Sequence, residues 1–188
     1  MLGKIYKLFR QSSDTVRKLM YIVPIEYRLG GSSFKKQLEH IQKTDKLPRH
    51  ELIKLQEIEI LRILKHAVQN IPYYKDIKLD DSCSAYENLQ KFPIIDKQTI
   101  QDDLNQFIVK DVSTHNAYQV TTGGTSGNTL SFYLDNTTYG KEWAFIVALW
   151  ERVDYSLGDK IVAFRGVDFK DSGKNKFWQL NTIYNALE

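Results

Sequence analysis

From Arg49 onward the apolar residues fall into step: Ile53, Ile60, Leu61, Leu64, Ala67, Val68 and Ile71 recur at three-, four- and seven-residue spacing. That period puts them on one face of a helix over 49–70. Pro72 closes it, because proline biases the preceding residue away from helical geometry. Arg62 and His66 lie one turn apart off the apolar face, in solvent. Upstream, Leu2, Ile5, Phe9, Val16, Leu19, Met20 and Val23 interleave with Lys4, Lys7, Arg10, Arg17 and Lys18. This predicts a basic amphipathic helix interrupted near Ser12 and Ser13. Gly30-Gly31-Ser32-Ser33 then breaks the pattern, which divides the chain into an arm, 1–33, and a body, 34–188.

Within the body, a short helix is expected around Tyr86 to Lys91. Phe92-Pro93-Ile94-Ile95 should dock the chain, and an acidic-tipped helix should run from Lys97 to Gln106. Asp102 and Asp103 are adjacent, so they point to different sides of a helix and read as surface. Tyr118–Thr121 and Leu130–Leu134 alternate like strands. Asp135-Asn136-Thr137-Thr138 offers capping side chains to a helix through Val153, with Trp143, Ile146, Val147 and Trp150 on its buried face. Such an aromatic stripe suits a core, and it also suits a ligand box. Ile161-Val162-Ala163-Phe164 reads as a strand buried on both sides. Arg165, at its carboxyl end, is placed either to meet an anion or to form a surface ion pair. Strand, loop, strand, helix, strand, helix gives an α/β fold class.

Composition narrows the function classes. The 188 residues are 42% hydrophobic and 26% charged, with a net charge of +3, which suits a globular domain rather than a disordered or collagen-like chain. The lysines are scattered instead of forming the basic patch of a nucleic-acid binder. Cys83 is the single cysteine, so neither an intramolecular disulfide nor a multi-cysteine zinc site is available, and a cytoplasmic location fits. His40, His50, His66 and His115 lack metal-ligand spacing, so no metal site is expected. No apolar run approaches the roughly 20 residues of a spanning helix. The basic arm allows peripheral contact with an anionic membrane or a partner; it equally suits a helix packed on the chain's own core.

The candidate chemistry lies in Thr121-Thr122-Gly123-Gly124-Thr125-Ser126-Gly127-Asn128-Thr129-Leu130. Glycine lets backbone N–H groups converge without a Cβ in the way, and hydroxyls add donors to a bound anion, so the segment reads as a phosphate cradle. An ordinary hairpin turn accounts for the same residues. A Walker loop is excluded because no lysine follows Gly127, and a Rossmann turn because a strand, not a helix, comes next.

Thr122-Gly123-Gly124-Thr125-Ser126-Gly127-Asn128-Thr129-Leu130 resembles the phosphate loop of the adenylate-forming, acyl-CoA synthetase-like superfamily. Leu61 to Tyr74, then Phe92-Pro93-Ile94-Ile95-Asp96-Lys97, then this loop, is similar to the opening of its phenylacetate–CoA ligase branch. Pro24-Ile25-Glu26-Tyr27-Arg28-Leu29-Gly30 resembles the opening of capsular polysaccharide biosynthesis proteins within that branch. Thr129 stands where the pattern usually has proline, and Asn128 where many members carry lysine. The resemblance implies the first, incomplete part of an adenylate-forming N-terminal domain following the helical arm, inactive by itself. It implies ATP and magnesium as ligands, leaves coenzyme A open, and makes a small carboxylate the other substrate. Thr122, Gly123, Gly124, Thr125, Ser126 and Gly127 would hold phosphate, while the residues for catalysis and ribose binding have no counterpart here. The competing expectation is a non-catalytic remnant or accessory module that binds a membrane surface or a partner.

Overall fold

The computed structural model describes residues 18–109, 116–123, 129–164, 178 and 180–188. In chain order the helices are α1 (Ile25–Arg28), α2 (Ser32–Thr44), α3 (Arg49–Asn70), α4 (Ala85–Leu89) and α5 (Lys97–Asp102). Strands β1 (Ala117–Thr121) and β2 (Ser131–Asp135) follow, then helix α6 (Thr138–Glu151) and the short strands β3 (Ile161–Val162), β4 (Leu180–Asn181) and β5 (Ala186–Leu187). Turns of 3-10 helix occupy Met20–Ile22, Pro72–Tyr74 and Leu104–Phe107. Among the described residues the fold mixes helix with two small sheets and is broadly α/β. Two compact units divide it, one from residues up to Lys43 together with Thr137–Glu188, the other from Thr44 to Asn136.

In the first unit, α1, α2 and α6 meet around Leu29, Phe34, Ile41, Trp143, Ala144, Val147 and Ala148. The stripe expected on α6 faces this core, with Ile146 and Trp150 half-buried at its margin, and Trp143 stacks on Tyr184 at 4.4 Å between ring centroids. The break at Gly30–Gly31 is a turn in which both glycines take positive φ, 121° and 62°. Leu29 and Phe34, on either side of it, enter the same core. A Cβ on Gly30 would stand 2.5 Å from Gly140 Cα, and one on Gly140 would stand 2.9 Å from the backbone nitrogen of Phe34. These glycines let α6 touch the turn between α1 and α2. Ser33 Oγ donates to the Gly30 carbonyl at 2.9 Å and completes the turn. Arg28 donates through Nη1 to the Thr182 carbonyl and sits over the Tyr21 ring. Burial lowers its pKa, with Tyr21 and Glu26 opposing the shift.

Several expectations fail in this unit for identifiable reasons. Thr137, at the head of α6, is already in helical geometry and makes no capping bond through its side chain. The strand expected to be buried on both faces stands, among the described residues, at the end of the order β3-β5-β4, paired in parallel with β5. Ile161 and Ala163 are half-buried while Val162 and Phe164 are exposed, so one of the two faces is uncovered. Most of the expected N-terminal helix lies outside the described residues; of its end, Lys18 and Leu19 are helical and Met20–Ile22 is a 3-10 turn closed at extended Val23.

The second unit is built on α3, whose bounds match the periodicity. Leu64 is buried while Ile60, Leu61, Ala67, Val68 and Ile71 are half-buried. Ile53 belongs to the same stripe by spacing but is exposed, as are Leu52 and Ile58 in that half of the helix. Against α3 rests α4, which opens with a reciprocal capping box between Ser84 and Glu87. Buried Asn88 staples the preceding loop: its amide donates to the Asp80 carbonyl at 2.9 Å and accepts from the Asp80 N–H at 2.8 Å. Tyr73, Tyr74, Phe92 and Phe107 form an aromatic cluster, with Tyr73 and Phe107 4.3 Å apart. Phe92 docks as expected, but Ile94 points wholly into solvent. The expected helix from Lys97 to Gln106 stops at Asp102, since Asp103 leaves helical geometry (φ −150°) and caps the following 3-10 turn through Asn105 N–H.

Candidate functional site

The glycine-rich segment joins two strands. β1 and β2 pair antiparallel, with Val120 opposite Phe132 and Thr121 opposite Ser131. One step beyond the ladder, the Thr122 N–H donates to the Leu130 carbonyl at 2.9 Å. The Leu130 N–H in turn donates to Thr122 Oγ1 at 3.0 Å. The mouth of the segment is thereby fixed by a reciprocal pair. Thr121, Thr122, Gly123 and Thr129 are exposed there. Thr122 spends a lone pair of its hydroxyl on the mouth, and since a hydroxyl carries one proton besides two acceptor sites, that proton remains for an outside acceptor.

Gly123 lies in a different setting from Gly30 and Gly140. Its φ lies outside the left-handed range, and a Cβ built on it would find none of the described residues within 4 Å. Among the described residues, neither a left-handed φ nor packing calls for a glycine here. Of the six residues expected to hold phosphate, Thr122 and Gly123 are brought to the mouth; Gly124, Thr125, Ser126 and Gly127 lie outside the described residues, as does Arg165.

Sequence reasoning missed Gln101. It sits on α5, and its Nε2 donates to the Thr129 carbonyl at 2.7 Å, tying the far lip of the segment to that helix. Nothing in the pattern marks a glutamine in a polar helix for this role. The helix is held in turn by Asp96, whose Oδ1 accepts from the Thr99 N–H at 2.8 Å and the Thr99 hydroxyl at 2.6 Å. Those two bonds, the hydroxyl's first, hold the Asp96 carboxyl below its ordinary value. Asp96 was part of the motif Phe92 to Lys97, and here it is a helix cap.

Arg62 and His66 are exposed, as expected. Arg62 Nε pairs with Glu59 at 2.7 Å, and Asn70 Nδ2 lies 3.0 Å from His66 Nδ1. Among the described residues, no three or more His, Cys, Asp or Glu side chains are grouped to hold a metal ion, and no helix is long and apolar enough to cross a membrane. Magnesium in phosphate sites is commonly held by the phosphates themselves with few protein ligands, so a hydroxyl-lined mouth is compatible with it. Compared with known proteins, the chain matches no family model, no curated protein and no solved structure.

Proposed function

We propose that this chain carries the phosphate-holding part of an ATP-dependent adenylate-forming ligase. Gly123 carries the reading: its missing Cβ answers to no packing or backbone need among the described residues, so the open volume beside it is read as ligand space. The motif order from Leu61 through Asp96 to Leu130 supports it. In the reaction, an oxygen of the carboxylate substrate bonds to the α-phosphorus of ATP, the bond from that phosphorus to the bridging oxygen breaks, and pyrophosphate leaves. Thr122, Thr125 and Ser126 would donate to phosphate oxygens, joined by the N–H groups of Gly123, Gly124 and Gly127. Such preorganised donors favour charge developing on the departing pyrophosphate. Magnesium, bound with ATP, would neutralise part of that charge. The acyl adenylate would then pass its acyl group to a thiol, such as coenzyme A, or to an amine or hydroxyl.

Calorimetric titration with Mg-ATP tests the reading. Pyrophosphate should displace ATP, and Thr125→Ala and Ser126→Ala should each weaken binding about tenfold, as for loss of a hydrogen bond to a charged group. Binding indifferent to both substitutions would refute it.

A second reading, peripheral membrane contact, is favoured by the exposure of Leu19 (58%) and Ile22 (78%) beside exposed Lys18. It predicts salt-sensitive sedimentation with anionic vesicles that is lost on deleting residues before Pro24. Equal sedimentation with neutral vesicles would contradict it.

A further inference from the structure

The Thr129–Leu130 peptide is gripped on both edges. Its carbonyl, belonging to Thr129, accepts from Gln101 Nε2 at 2.7 Å. Its N–H, belonging to Leu130, donates to Thr122 Oγ1 at 3.0 Å. A peptide unit is planar, with C=O and N–H on opposite edges, so a donor that fixes the carbonyl also fixes the direction of the N–H. That N–H occupies one lone pair of the Thr122 hydroxyl and so restricts where its proton can point. The Leu130 carbonyl adds the return bond from the Thr122 N–H at 2.9 Å. A relay therefore runs from Gln101, through one peptide, to the hydroxyl at the mouth.

We infer that Gln101 is a positioning residue: by clamping the Thr129–Leu130 peptide it aims the Thr122 hydroxyl proton out of the mouth, toward an anionic oxygen. Chains of hydrogen bonds polarise one another, and a carbonyl that accepts from Gln101 makes the N–H on the same peptide a better donor to Thr122. The Thr122 proton becomes more acidic in turn. The clamp does not depend on what the segment binds; its effect on nucleotide rests on the phosphate reading above.

A double-mutant cycle on the full chain decides the matter. Gln101→Met keeps the side-chain length and removes the donor, and Thr122→Val keeps the shape and removes the hydroxyl. By amide hydrogen exchange, each should speed exchange at Leu130 about fivefold, the worth of one hydrogen bond. The double variant should gain much less than the product, because both act through one peptide. Gln101→Lys, which restores a donor, should return Leu130 to near the wild-type rate. Exchange within α3 should change less than exchange at Leu130 in Gln101→Met, which separates positioning from general stability. Unchanged exchange at Leu130, or effects that multiply independently, would overturn the clamp. Mg-ATP binding, read as shifts of the Thr122 and Leu130 amides, should weaken about fivefold in Gln101→Met by the same reasoning. An intact exchange cycle with no ATP binding to the wild type would sink the phosphate reading and leave the clamp standing; ATP binding unaltered in Gln101→Met would refute the aiming role.

Discussion

Gly30 and Gly123 are both glycines, and their surroundings differ in kind. At Gly30 the space of the missing Cβ is already taken by Gly140, φ is 121°, and Leu29 and Phe34 nearby are 2% and 0% exposed. At Gly123 the neighbouring Thr121 and Thr122 are exposed, and no described residue comes within 4 Å of the Cβ position. One glycine is required by its own packing; at the other, the described residues leave the Cβ position open.

The largest effect is expected at Gly30. Gly30→Ala combines a left-handed φ with a backbone overlap, and should lower stability by about 3 kcal/mol or more. Gly140→Ala meets the Phe34 nitrogen in regular helix, without the φ penalty, and should cost about 1–3 kcal/mol. Urea unfolding measures both. A loss below about 0.5 kcal/mol for either would mean that the α6 contact is not tight.

Acid should distinguish the two regions next. Asp96 caps α5, the helix that carries Gln101, and its folded pKa lies below the ordinary 3.8 because of the Thr99 hydroxyl and N–H. A depressed carboxylate stabilises the fold above its unfolded value, and that contribution is lost as pH falls through the lower folded value. The Thr99 amide shift should therefore titrate with a midpoint below 3.8, and the clamp on Thr129 should loosen over the same range. The Gly30–Gly140 contact has no carboxylate in it. A midpoint at or above 3.8 would contradict the cap.

Much of this was legible in the sequence where one physical signal dominated. The α3 helix was readable to its ends because its period and Pro72 agree, and the strands around the glycines because alternation flanks a turn. Ile53 was misread because periodicity gives a direction around the helix axis, whereas burial also needs an element to pack there. The β3 strand was misread because an apolar run does not say whether it will be central or at an edge. At the site, glycines and hydroxyls announced themselves through composition. Gln101 did not, since its role depends on a carbonyl far along the chain, and Asn88 was equally silent for the same reason. Gly140 carried no signal beyond being a glycine inside a helix, where its close approach to the α1–α2 turn is a tertiary fact.

The smallest stability effect carries the most weight. Gly123→Ala should change the urea midpoint by no more than about 0.5 kcal/mol in free-energy terms, since it alters neither φ strain nor packing. Mg-ATP should shift the Thr122, Gly123 and Leu130 amides of the wild type with about millimolar affinity, some 4 kcal/mol. The same titration of Gly123→Ala should show that binding lost, with the fold intact. Wild-type amides unmoved at saturating Mg-ATP, or Gly123→Ala binding ATP as the wild type does, would contradict the claim that this glycine is kept for a phosphate.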